Sequence, residues 1–234
     1  MPLHTLQRLS PTAVLGLWHL REAPDELWPL LPHAEEYQPL LPARADALRQ
    51  TQWLAGRVLA HELLHTLLGP AACADVLLRN EASGRPWLQG SPPGSVVSLS
   101  HSGEWAAALV NTGGRAGIDI ELVRDKARRL APKFLSAAEA ETLPAPMEED
   151  AAITHYSLLW SAKETLYKLA AQRGIIFKEQ LLLHAIGPVA EGELAATLLL
   201  DGQQTRHRIC YSQPAPGYVL TYCHETAPPE QAVS

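Results

Sequence analysis

Asp119 and Glu121 stand two residues apart in Gly117-Ile-Asp-Ile-Glu121, a strand-like alternation that turns both carboxylates to one face. Further along, Trp160-Ser-Ala-Lys-Glu-Thr-Leu-Tyr-Lys168 lies in a helical pattern, where Trp160, Glu164 and Lys168 form one i, i+4 row. Three carboxylates and an ammonium on rigid elements are what a hard cation and a phosphate oxygen require. Magnesium in particular takes octahedral oxygen coordination at about 2.0–2.1 Å from a few carboxylates, waters and substrate phosphates. The residues point to a magnesium-dependent transfer at phosphorus. Asp119 and Glu121 would be metal ligands, Glu164 a third ligand or the base, and Lys168 a countercharge for a leaving phosphate. Neither half is specific alone, since a Glu–Lys i, i+4 pair is usually a surface pair worth about 0.2–0.5 kcal/mol.

The elements that must position these groups are legible in outline. Ala13–Leu20 reads as a strand, and the prolines at 24, 29, 32, 39 and 42 forbid a long helix after it. A helical pattern spans Ala43–Leu68 and stops at Gly69-Pro70. Short β-like runs follow at Val76–Arg79, Val96–Ser100 and Trp105–Asn111, and Thr112-Gly-Gly-Arg115 is expected to turn the last of these into Gly117–Glu121 as a hairpin. Ser136-Ala-Ala-Glu139 is a capping box opening a short helix. After a break at Leu143–Asp150, a longer helix is expected from Ala151 to Arg173, stopped by Gly174. Strands are expected at Gln180–Ala185, Ala195–Leu200, Arg206–Tyr211 and Tyr218–Cys223. Strand, long helix, strands recurs in each half, which predicts an α+β fold of two similar lobes. The lobes are expected at residues 1–112 and 113–225, with a flexible tail at 226–234.

Bulk properties narrow the class. The 234-residue chain is long enough to bury a real core, with 47% apolar and 19% charged residues. A net charge of −6 argues against a nucleic-acid partner and requires any anionic ligand to be held by local cations. Cys73, Cys210 and Cys223 are odd in number and lack metal-ligand spacing, which reads as free thiols in a reducing compartment. Without a leader-like start or a run of about 20 apolar residues, the expectation is a cytoplasmic protein with no membrane partner.

The two quoted segments resemble the signatures of Sfp-type 4′-phosphopantetheinyl transferases. Gly84-Arg85-Pro86 resembles that family's Gly-Lys/Arg-Pro element, Ser98-Leu-Ser-His-Ser102 its Ser-His loop, and Phe134-Leu-Ser-x-x-Glu139 the opening of its intervening helix. The resemblance implies an α+β fold of two lobes related by a pseudo-twofold axis, each a long helix packed on a small, mostly antiparallel sheet. The active site would lie between the lobes of a monomer. It also implies the reaction: a serine hydroxyl of an apo acyl or peptidyl carrier protein attacks the β-phosphate of coenzyme A, and 3′,5′-ADP leaves. Asp119, Glu121 and Glu164 would hold Mg2+, with Glu164 also the base, while Lys168 and Lys163 would meet phosphate. Arg85 with Pro86, and His101 with Ser100, would bind coenzyme A. On the first long helix Arg57, following Ala55-Gly56, is preferred to Arg49 as a further coenzyme A ligand. Thr165 stands where the family usually has Ala or Ser, and Ser98 where Asn is commoner.

Other patterns compete. His61-Glu62-Leu-Leu-His65 matches H-E-x-x-H on a helix, a zinc metalloprotease pattern. Leu68 and Gly69 break the metzincin continuation, so this is the weaker alternative. A catalytically silent coenzyme A or carrier-binding module is the other. Lys126, Arg128, Arg129 and Lys133 form a basic run that is either a solvated helix face or a contact for an acidic carrier. Gly113-Gly-Arg-Ala-Gly117 opens no helix and reads as a turn, not a phosphate loop. Trp53, Trp105 and Trp160 are expected in the core.

Overall fold

The computed structural model describes residues 3–42, 44–143, 148–184 and 190–226. Beyond Thr226 the expected tail lies outside the described residues, as do residues 144–147 of the expected break at 143–150. The described chain divides into two compact units. One runs to Ala116 and takes in the return at 224–226, and the other is Gly117–Cys223.

The first unit contains β1 (Leu3–Ser10), β2 (Ala13–His19), α1 (Pro24–Leu27), α2 (Ala34–Tyr37), α3 (Ala47–Leu68), α4 (Pro70–Cys73), β3 (Leu77–Asn80), β4 (Pro86–Gln89), β5 (Val96–Ser102) and β6 (Trp105–Asn111). Prolines, which lack an N–H donor, hold the stretch after β2 to single turns. α3 begins after Asp46, whose carboxylate accepts from Arg49 N at 2.8 Å, and ends at Gly69 with φ 78°. Its apolar side covers an antiparallel sheet of order β1-β2-β6-β5, and Trp18, Tyr37, Leu54, Leu59 and Leu63 fill the core between them. β3 and β4 form a separate hairpin.

The expected hairpin between Trp105–Asn111 and Gly117–Glu121 does not form. Both edges of β6 are already paired, with β2 and β5, so the next strand joins the other sheet. Asn111 instead donates its side-chain amide to the carbonyls of Arg115 (3.2 Å) and Glu225 (2.7 Å), which secures the exit.

The second unit contains β7 (Ala116–Leu122), α5 (Asp125–Phe134), α6 (Ala137–Glu141), α7 (Glu149–Ala170), α8 (Phe177–Gln180), β8 (Leu181–His184), β9 (Glu191–Leu200), β10 (Gln203–Ser212) and β11 (Tyr218–His224). The sheet order is β7-β11-β10-β9-β8, antiparallel from β8 through β11. Leu200 pairs with Gln203 across Asp201-Gly202, both at positive φ, the turn that matches strand twist. Phe134, Leu158, Leu166, Leu169, Leu198 and Ile209 form this core. α7 ends three residues before the expected arginine: Ala171, not Gly174, adopts the left-handed conformation that closes it. Among the described residues, no helix is long and apolar enough to cross a membrane.

Candidate active site

β7 carries the first signature. Ile118 and Ile120 are fully buried, Asp119 nearly so, and Glu121 is half-buried. Gly117 lets α7 come close, because a Cβ there would lie 2.2 Å from the Thr165 carbonyl oxygen and 3.0 Å from Leu169 N. That approach brings in the residues flanking Thr165 and Leu169, namely Glu164 and Lys168. The Lys168 ammonium donates to Asp119 Oδ1 at 2.8 Å and to the Ile118 carbonyl at 2.9 Å.

Glu164 shows how closely these charges interact. Burial pushes its carboxyl up to about 7; Lys168 opposes the rise, while Asp119 and Glu121 add to it. The Lys168 ammonium thus acts on Glu164 and pairs with Asp119. Carboxylates of this kind are the oxygen ligands that a hard divalent cation takes. Among the described residues, however, no group of three His, Cys, Asp or Glu side chains is gathered for a metal ion, and Lys168 engages Asp119 directly.

Buried hydroxyls hold α7 against its sheet. Thr165 Oγ1 donates to the Thr221 carbonyl (3.1 Å) and lies 2.6 Å from Thr221 Oγ1, which is 2.9 Å from Ser161 Oγ. Ser161 in turn donates to the Asp119 carbonyl at 3.3 Å. Thr165, which stands where the resembled family usually has Ala or Ser, therefore ties α7 to β11. Ser161 and Thr221 were missed: Ser161 sits inside the signature, but nothing local in sequence marks Thr221 as its partner.

Two expected ligands lie in the interior. Lys163 is 0% exposed. Its ammonium lies 2.7 Å from Glu139 Oε1 and donates to the carbonyls of Phe177 (3.1 Å) and Leu181. Burial lowers the lysine's pKa and Glu139 opposes the fall. Glu139 also closes the capping box through Ser136 N (2.8 Å) and accepts from Leu183 N (2.8 Å). Arg57 is likewise interior, 3% exposed, with its guanidinium 3.3 Å from the centre of the Trp53 ring. It donates to Asn80 Oδ1 at 2.7 Å.

Arg49, the arginine passed over, is exposed and reaches His101 on β5, 3.2 Å from Nδ1 and in contact with Nε2. Ser100, Arg85 and Pro86 are half-buried. The H-E-x-x-H pair does not open to a metal. His61 is buried with Nε2 2.8 Å from the Tyr37 hydroxyl, and His65 is exposed. Trp105 is buried as expected, whereas Trp53 and Trp160 are half-buried.

An α+β chain that gathers carboxylates around an ammonium invites comparison with phosphate-handling proteins. A sequence profile described as the 4′-phosphopantetheinyl transferase superfamily matches residues 115–223, and one described as the 4′-phosphopantetheinyl transferase N-terminal domain matches residues 36–111. The 4′-phosphopantetheinyl transferase AcpT of Salmonella typhimurium strain LT2 is 31% identical over 137 residues, 58% of this chain and 65% of that protein. AcpT of Escherichia coli strain K12 is 32% identical over 148 residues, 62% of this chain and 66% of the relative. A holo-[acyl-carrier-protein] synthase of Exiguobacterium sibiricum is 41% identical over 68 residues, 26% of this chain and 53% of that protein. The chain spans just under two thirds of the length of the transferases it matches, 65% for the first. It belongs to the 4′-phosphopantetheinyl transferase superfamily, a family that works with a divalent metal.

Proposed function

We propose that this protein transfers 4′-phosphopantetheine from coenzyme A to a serine of an apo acyl or peptidyl carrier protein and releases 3′,5′-ADP. The observation that carries the reading is the coupling of Glu164 to Asp119, Glu121 and Lys168 within the segment that matches the superfamily profile. The serine oxygen attacks the β-phosphorus, the bond from that phosphorus to the bridging oxygen breaks, and the hydroxyl proton passes to Glu164. A carboxyl held near neutrality suits a base that must accept and then release a proton. Asp119, Glu121 and Glu164 would hold Mg2+, which when bound supplies Lewis-acid neutralisation of the diphosphate charge. Of the three Lys168 protons, two serve Ile118 and Asp119, and the third faces the leaving phosphate.

Arg85 with Pro86, and His101 with Ser100, meet the coenzyme A phosphates, with Arg49 taking the place first given to Arg57. The guanidinium of Arg49 only donates, so the imidazole it touches must accept; an arriving phosphate oxygen satisfies both. Three free cysteines support a cytoplasmic enzyme, proposed to act as a monomer.

The test is mass spectrometry of apo carriers from fatty acid, polyketide and nonribosomal peptide synthesis, incubated with the protein, coenzyme A and Mg2+. Addition of one phosphopantetheine is expected, and Glu164→Gln should lower kcat by about 10²–10⁴. No mass gain on any carrier would leave a coenzyme A-binding module as the better account. An E164Q enzyme of full activity would remove the proposed base.

A further inference from the structure

Arg57 is an odd residue to bury. Among the described residues no carboxylate pairs with it, and its charge rests on the Trp53 ring, the Trp53 carbonyl (3.2 Å) and Asn80 Oδ1 (2.7 Å). Burial lowers its pKa to about 9, with Tyr37 opposing. Apolar replacement of buried charge is often neutral or stabilising, so packing alone gives no reason for a guanidinium here. Its bond to Asn80 gives one. Asn80 ends β3, and its other amide atom, Nδ2, donates to the Gly84 carbonyl at 2.8 Å. That carbonyl belongs to the β3–β4 turn, which is closed by Glu81 N to the Arg85 carbonyl (2.9 Å) and Gly84 N to the Glu81 carbonyl (2.8 Å).

Arginine has no acceptor. The Asn80 atom that faces Arg57 must therefore be the oxygen, which leaves the amide nitrogen for Gly84. An apolar residue at 57 would leave only the Gly84 carbonyl to orient the amide, because a flipped amide would set oxygen against that carbonyl.

We infer that Arg57 is a positioning residue: through Asn80 it fixes the amide that clamps the Gly84 carbonyl, and so holds the turn that presents Arg85. The inference rests on the proposed role of Arg85 at coenzyme A, but the clamp has a readout independent of activity.

Asn80→Asp isolates the clamp. The variant keeps an acceptor for Arg57, which preserves that contact, and replaces the donor to Gly84 by an oxygen that repels its carbonyl. Hydrogen exchange at the Glu81 and Gly84 amides should quicken about tenfold, while α3 amides keep wild-type protection. The KM for coenzyme A should rise about tenfold with kcat within about twofold, and in an R85A background N80D should add less than about twofold. Unchanged turn exchange in N80D overturns the inference, because Asn80 would then pass nothing from Arg57 to the turn. An equal rise in KM with and without Arg85 also overturns it, because the effect would not pass through that side chain. Should wild type transfer no phosphopantetheine, the proposed function falls, while the exchange measurement still decides the clamp.

Discussion

The two long helices solve one problem in two ways. α3 and α7 are each 22 residues, each approaches a strand glycine, and each buries a cation that sequence offers as a phosphate ligand. On α3, Arg57 is held by an aromatic ring and a neutral amide. On α7, Lys163 is held by a carboxylate and two carbonyls. At Gly16 a Cβ would meet a side-chain methyl of Leu59 at 2.7 Å, whereas at Gly117 it would meet the Thr165 backbone at 2.2 Å. The first unit thus meets its helix with parts that can turn aside. The second, which carries Asp119, Glu121, Glu164 and Lys168, meets it with parts that cannot.

The largest effect expected from breaking this contrast is at Glu139. Glu139→Ala strands a fully buried ammonium and removes the acceptor for Ser136 and Leu183. Removing one partner of a buried pair costs about 3–5 kcal/mol. Arg57→Met strands no charge, and losing its ring contact and two hydrogen bonds should cost about 1–2 kcal/mol net of the apolar replacement. Urea denaturation of both variants measures the difference, and equal losses would erase the distinction between the helices.

Next come the glycines. In Gly117→Ala the new methyl can be accommodated only by moving the backbone of α7, at about 2–3 kcal/mol. That movement carries Glu164 and Lys168 with it, so transfer activity should fall by more than the folded fraction does. Gly16→Ala asks only that Leu59 rotate, at about 1 kcal/mol, with activity retained. A G117A protein as stable and active as G16A would mean that the close approach does not position the carboxyl groups.

What could be read in the sequence was whatever one element fixes by itself. Asp119 and Glu121 share a strand and Glu164 and Lys168 a helical row, so their spacing already marked them as candidates. Helical phase also carried a signal that was not used. Trp53, Arg57 and His61 form an i, i+4 row, so the core tryptophan expected at 53 should have drawn Arg57 inward with it. Lys163 is about 100° around α7 from Glu164, which turns it away from the row that serves the site. Strand partners were not legible. Nothing in Thr112–Arg115 says that both edges of β6 are taken, and nothing near Glu139 points to Lys163 or Leu183, because such pairings depend on segments far along the chain.

The smallest effect expected is a pH dependence that belongs to the first unit. The Tyr37 hydroxyl accepts from Leu78 N at 2.8 Å, so its own proton goes to His61 Nε2, which must then be the unprotonated nitrogen. Burial, helped by His33 and Arg57, lowers His61 to about 4. Its ordinary value in the unfolded chain is about 6.5. The unfolded state therefore binds a proton first, and the stability that neutral His61 contributes is whole above pH 6.5 and lost as pH falls towards 4. Integrated to pH 5, the loss is about 1–2 kcal/mol. In the second unit burial lowers His155 as well, but Glu164 is raised and so gains stability as pH falls from 7, which opposes the loss there. Urea denaturation of wild type and His61→Gln at pH 7 and pH 5 separates the contributions. The variant should lose about 1–2 kcal/mol less on acidification than wild type. An identical acid loss in H61Q would shift the pH response away from the Tyr37–His61 pair and with it the expected difference between the units.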